Sequence, residues 1–289
     1  MSFTRRKFIT AAAGGLVGLG VLGGGGLLYA TRIEPLWFEF TQLSLTLPRL
    51  HPAFDGYRLL QFSDIHFDGR FMDREMLFDV IAAVRTQHVD AIVFTGDFLT
   101  DHVTPDIEQI LVEAFSSLRA PDGVFAVMGN HDYWSGVEAL RRALNASGVI
   151  ELDNRVHTLR RGAGTLHLCG VDDIWERHHR LDHVLAQIPG DGAAILLAHE
   201  PDFADTTAAA GRFDLQLSGH SHGGQVNLPL IGPPILPWLG RKYHTGLYHV
   251  GSLIQYTNRG IGTVQMDWDL PAVRFNCRPE ITIITLQSL

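Results

Sequence analysis

The stretch YRLLQFSDIH, residues 57–66, governs how the rest of the chain is read. An apolar run of strand length stops at an aspartate and a histidine, Asp64 and His66, two residues apart. In open sheets of parallel strands, ligands collect in the crevice outside the carboxyl ends of the strands, so polar residues at such an end mark a candidate pocket.

Other apolar runs end the same way. AIVFTGD (91–97) ends in Asp97, and FAVMGNHD (125–132) ends in Asn130, His131 and Asp132. ILLAHEP (195–201) carries His199, and LQLSGHSH (215–222) carries His220 and His222. Taken singly, each ending has an ordinary explanation: an aspartate caps a turn, Gly-Asn makes one, and a lone histidine sits satisfied in a loop. Five such endings, each on its own apolar run, are not explained by turns, and they should converge on one pocket.

Helical patterns separate the runs: Met72 to Thr86, Asp106 to Leu118, Gly136 to Leu144, and Leu181 to Ile188. That alternation predicts an α/β fold with largely parallel strands. The tail, GLYHVGSLIQYTNRG (246–260) and RPEITIITLQ (278–287), alternates strand and turn without helices. It predicts antiparallel strands that extend or face the first sheet, hence two sheets in one domain.

Asp64 and His66, like His220 and His222, lie at i and i+2, which in extended backbone project to one face. Carboxylate, amide and imidazole donors together suit Mn, Fe or Zn. The chain has two cysteines, Cys169 and Cys277, outside any CxxC pair, which argues against a structural zinc knot. The seven donors Asp64, His66, Asp97, Asn130, His199, His220 and His222 exceed one ion's need, whereas two ions roughly 3.5–4 Å apart sharing a carboxylate use them all. Two divalent ions, offset by Asp64, Asp97 and a bridging hydroxide, leave about one positive charge, which suits a phosphate ester. A formal net charge of -8 argues against a nucleic-acid groove.

With DIH, GD, GNHD, AHEP and GHSH in hand, the chain resembles the calcineurin-like metallophosphoesterases, from about Tyr57 to the C-terminus. GHSHGGQVNLPLIG, NRGIGT and RPEIT are similar to the bacterial exported or membrane-associated subgroup, related to phosphodiesterases and UDP-diacylglucosamine pyrophosphatases. The resemblance implies a four-layer α/β/β/α sandwich with two mixed sheets. It implies one metal on Asp64, His66, Asp97 and His222, and a second on Asp97, Asn130, His199 and His220, with Asp97 as the bridge. A bridging hydroxide would attack phosphorus, and His131 would stabilise the phosphoryl oxygens or protonate the leaving group. The sequence departs from the pattern at Thr100, where many relatives carry the aspartate that orients the catalytic histidine and purple acid phosphatases a tyrosine; Asp101 is the nearest substitute. Arg259, in NRG, is a candidate substrate contact, though a turn role is the simpler reading; Asp172 and Asp173 read as turn residues.

Residues 1–34 read as a leader or anchor ahead of a phosphoesterase domain over 35–289. Arg5, Arg6 and Lys7 precede an uncharged stretch from Phe8 to Ala30, and TRRKFIT resembles the twin-arginine export signal. The uncharged length meets the roughly 20 residues needed to span a bilayer. Recognition by the twin-arginine machinery, an N-terminal hold on the membrane and an extracytoplasmic body are the expectations, with a phosphate-ester substrate borne by an envelope lipid or wall polymer. Cleavage of a UDP-diacylglucosamine pyrophosphate bond and a non-catalytic, metal-stabilised, membrane-anchored binding protein are the competing readings. The apolar, proline-rich LPLIGPPILPWL (228–239) is either an exposed lipid contact or core beneath a loop.

Overall fold

The structure is a computed structural model that describes residues 24–264 and 272–289. Two six-stranded sheets carry the fold. In the first, the order is β1 (Glu39–Thr46), β12 (Glu280–Gln287), β2 (Arg58–Phe62), β3 (Ala91–Thr95), β4 (Val124–Val127) and β5 (Ile150–Glu151). In the second it is β10 (Gly246–Val250), β11 (Leu253–Thr257), β9 (Leu215–Ser218), β8 (Ala193–Leu197), β7 (Gly164–Gly170) and β6 (Arg155–Arg161).

Strand alternation sorts the apolar side chains into layers. Leu59, Val93, Phe125 and Val127 point from the first sheet toward Leu166, Ile195, Leu197 and Leu215 of the second, forming the central core. Their neighbours Leu60, Phe62, Ile92 and Phe94 point the other way. There they meet Leu77 and Val80 of helix α1 (Arg74–Arg85), Leu111 and Phe115 of α2 (Pro105–Phe115), and Leu140 of α4 (Val137–Ala146), which follows the short α3 (Asn130–Ser135). On the far side, Cys169, Ala194 and Leu196 pack against α5 (Leu181–Gln187) and α6 (Ala204–Ala210). The result is the expected α/β/β/α order, with Cys169 a buried core residue.

The tail departs from its reading. β10 is antiparallel to β11, and β12 to β2, but β11 lies parallel to β9 and β12 parallel to β1. The tail therefore serves both sheets. β1 has no counterpart in the sequence reading because its apolar residues alternate with Thr, Gln and Ser on a half-exposed edge.

The leader or anchor expected over residues 1–34 lies, for residues 1–23, outside the described residues. No described helix is long and apolar enough to cross a membrane. Glu34 is fully buried, and its carboxylate accepts the backbone N–H groups of Asn276, at 2.9 Å, and Cys277.

Candidate metal centre

The polar endings of β2, β3, β4, β8 and β9 converge at one edge of the two sheets. The i, i+2 pairs reach the pocket, though not through extended backbone. Asp64, His66, Asp97, His220 and His222 take φ values of 52°, 50°, 56°, 69° and 51°. Left-handed backbone at non-glycine residues is costly and persists only where the surroundings fix it. Here they do: Asp64 N–H donates to Gly96 O at 2.9 Å, His66 N–H to Asp97 O at 3.1 Å, and His220 N–H to the Asp64 carboxylate at 2.9 Å. Gly219 is required for close approach, because a Cβ there would collide with Ser63 Oγ and the Asp64 carboxylate.

Three groups of donor atoms lie within 4.8 Å of one another: Asp64, His66 and His222; His66, Asp97 and His131; and Asp97, His199 and His220. Asp97 is shared, its Oδ2 lying 3.4 Å from His66 Nε2 and 3.1 Å from His199 Nε2. Hydrogen bonds at the far side of two rings fix which nitrogen faces inward. His199 Nδ1 donates to the Thr95 carbonyl at 2.7 Å, and His220 Nε2 to the Trp238 carbonyl at 2.8 Å. The bond to Trp238 leaves His220 Nδ1 bare, and it faces His199 Nε2 at 3.3 Å, a contact that a proton or a cation between the rings relieves. Asn130 Oδ1 is buried and has no hydrogen-bond partner among the described residues. An orphaned amide oxygen beside carboxylates and imidazoles fits a divalent metal.

The electrostatics agree. Burial holds His66 and His222 well below the ordinary imidazole range, with the charge of neighbouring histidines and Arg274 adding to it and Asp97 opposing. Burial works against protonation of His199, but the Asp97 charge outweighs it and holds that ring well above the ordinary range. A proton or a cation therefore belongs between His199 and Asp97. Burial, with Asp97 alongside, lifts Asp64 to about 7.

His131 sits at the mouth. It is half-buried, its N–H donates to Asp97 Oδ1 at 2.9 Å, and its ring lies 4.7 Å from the rings of both His66 and Trp134. It lines a cavity of about 210 Å³ with Asn130, Trp134, Trp175, Ile235 and Pro237.

Two candidate substrate contacts are not brought to this cavity. Asp101 is exposed on a loop and does not line it. Arg259 is committed elsewhere, to Glu280 at 2.9 Å and to Glu39 at 2.6 Å, because β12 carries Glu280 beside it. Thr100 departs from the pattern without leaving a gap: its hydroxyl meets His66 Nδ1 at 3.1 Å, so it orients a candidate ligand and not His131.

Several contributors were not assigned a part in the sequence. Asp132, read only as one more polar ending, is fully buried and accepts the N–H groups of Asp97, Phe98, Leu99 and Gly129. Arg274 is fully buried, gives its hydrogens to the carbonyls of Arg259, Gly260, Gly262 and Cys277, and stands 3.3 Å behind His222 Nδ1. Trp134, on the short α3, and Trp175, in a turn, wall the cavity from segments too short for a periodicity to mark a side chain's direction.

The chain is similar to several named proteins. Over 99% of its length the chain is 34% identical to the uncharacterized metallophosphoesterase YkuE of Bacillus subtilis, covering 98% of that protein. It is 30% identical to the phosphodiesterase YaeI of Escherichia coli, over 98% of this chain and 99% of that one. It is 26% identical to the UDP-2,3-diacylglucosamine pyrophosphatase LpxG of Chlamydia trachomatis, over 89% and 92%. The calcineurin-like phosphoesterase profile matches residues 57–224, a span that begins with β2 and ends just past His222, so that it contains every donor in the pocket. By that match, and by relatives aligned almost end to end, the chain belongs to the calcineurin-like phosphoesterase family.

Proposed function

We propose that the chain hydrolyses a phosphodiester or pyrophosphate bond in a cell-envelope substrate, using two divalent ions. Asp64, His66, Asp97 and His222 would hold one, and Asp97, Asn130, His199 and His220 the other; the donor mixture suits Mn, Fe or Zn. The observation that carries this reading is the membership of Asp97 in donor groups on both sides of it. When bound, the ions supply Lewis acidity toward phosphoryl oxygens and acidify water near neutral pH.

The chain's own groups do the rest. Asp132 clamps the backbone of Asp97. His131, pinned through its N–H to Asp97 and packed between His66 and Trp134, presents its ring to the cavity, where it delivers a proton to the leaving oxygen or holds a phosphoryl oxygen. Trp134, Trp175, Ile235 and Pro237 narrow access for water.

Relatives named as a phosphodiesterase and as a pyrophosphatase support a diester or pyrophosphate over a monoester. The paired arginines and uncharged stretch of residues 5–30 support an extracytoplasmic body, exported by the twin-arginine route and held at the membrane. A UDP-diacylglucosamine-like substrate is the second reading, favoured by the exposed apolar loop after His222. A topology reporter at the C-terminus separates the two, since that nucleotide is expected on the cytoplasmic side.

The test is metal analysis of the purified chain with a panel of monoester, diester and pyrophosphate substrates, before and after chelation. Asp97→Asn should lower turnover by on the order of 10² or more, since even partners of metal ligands cost 10–100-fold. Unchanged turnover in that variant overturns the mechanism.

A further inference from the structure

The segment from Leu228 to Leu239 leaves the histidine loop, and its two ends have different surroundings. Near its start a bridge between Leu228 and Gly232 turns the chain back, and at the tip Leu230 and Ile231 are 108% and 77% exposed. Near its end Ile235 and Pro237 line the metal cavity, and Trp238 packs edge-on against Trp175 at 5.2 Å. One apolar ridge thus runs from open solvent to the wall of the site. Prolines at 229, 233, 234 and 237 keep it from forming a helix or joining a sheet interior. A leucine and an isoleucine held fully outward at the tip of such a ridge mark a contact surface.

The place where the N-terminal segment joins the body says what that surface meets. Phe8 to Ala30 carries no charge. Ala30 O accepts the N–H of Arg274 at 2.9 Å, and Glu34 holds Asn276 and Cys277. The same short stretch is bonded to the base of the ridge: Asn227 N–H donates to Phe275 O at 2.8 Å, and Asn276 Nδ2 to Asn227 O at 3.3 Å. Ala30, at the described end of the uncharged segment, and Asn227, at the base of the ridge, are therefore bonded to the same short stretch. Leu27, Leu28, Ile33 and Leu36, at that junction, are exposed as well.

We propose that the ridge Leu228–Trp238 docks onto a lipid bilayer, its tip entering the acyl layer beside the uncharged N-terminal segment. Its inner end then guides a lipid-borne phosphoester into the cavity, a second step that rests on the phosphoesterase reading above. The docking step does not.

Both native cysteines are buried, so in the full chain Ile231→Cys offers one exposed thiol for an environment-sensitive fluorophore. Asn145→Cys, on α4 in the outer helix layer, is the control. Mixed with vesicles of phosphatidylethanolamine and phosphatidylglycerol, the label at 231 should shift to the blue and the label at 145 should not. In parallel, Leu230→Asp with Ile231→Asp should lower kcat/KM on a vesicle-borne phosphodiester about tenfold or more, as expected from losing two buried aliphatic side chains. Turnover of soluble bis(p-nitrophenyl) phosphate should stay unchanged. No shift at 231, a shift that instead follows protein concentration without vesicles, as a second copy would give, or equal loss on both substrates overturns the proposal. Wild-type chain inactive on both substrates refutes the phosphoesterase reading, and the fluorescence still decides the docking.

Discussion

The carboxylate of Asp132 accepts the backbone N–H of Asp97 at 2.9 Å, while Asp97 Oδ1 accepts the backbone N–H of His131 at 2.9 Å. The residue common to the donor groups is thus held by the strand ending that follows it, and holds that ending in return. Asp132→Asn keeps the shape but turns an amide N–H toward backbone N–H groups. The expected cost is about 1–3 kcal/mol of stability, the penalty for leaving buried backbone N–H groups without an acceptor. Chemical denaturation measures it, and turnover should fall with it; a variant as stable as wild type would remove Asp132 from this role.

Thr100 tests a narrower point. With its hydroxyl on His66 Nδ1, Thr100→Val should weaken metal affinity by roughly 10–100-fold, the usual effect of removing the partner of a ligating imidazole. Thr100→Ser should bind metal nearly as wild type does. Competition with a chelator of known affinity reads both, and equal affinity in all three chains refutes the orientation role.

Gly219→Ala should damage one half of the pocket selectively. Its Cβ would strike Ser63 Oγ and the Asp64 carboxylate; Asp64 is grouped as a donor with His66 and His222, while toward the other group it accepts the backbone N–H of His220. Metal content is expected to fall from two ions toward one, with a stability loss of about 1–3 kcal/mol for overpacking. Retention of both ions would show that the loop yields without cost.

Glu280 links the fold to pH. It is buried, which opposes ionisation, but Arg259 outweighs burial and holds its carboxyl below the ordinary range. A depressed carboxyl contributes stability above its unfolded pKa and loses it as pH falls through the lower folded value. Glu280→Gln should therefore be less stable by about 2–3 kcal/mol at neutral pH, and the gap should close in acid. Urea melts at several pH values check this, and a gap that does not narrow in acid refutes the linkage.

The legibility of the chain followed the physics of each signal. β2, β3, β4, β8 and β9 are buried on both faces, so they read as continuous apolar runs whose ends stand out. The donors at those ends were readable because each follows such a run. The backbone reason for their convergence was not, since nothing in Asp64-Ile65-His66 announces left-handed φ. The ion pair of Arg259 was not readable because an arginine's partner depends on tertiary placement, here of Glu280 on β12. The half-exposed β1 was invisible for the opposite reason to β2, having no apolar run to end.

The position of β12 governs the order in which the protein can be completed. This last strand lies between β1 and β2, so during synthesis both early strands have open edges until residues 280–287 leave the ribosome. The latch of Glu34 onto Asn276 and Cys277 waits for the same stretch. Contacts between residues so distant in sequence form late and slowly. The loop bearing Asp64 and His66 follows directly on β2, so a nascent chain short of its C-terminus carries this half of the pocket on an unfinished sheet.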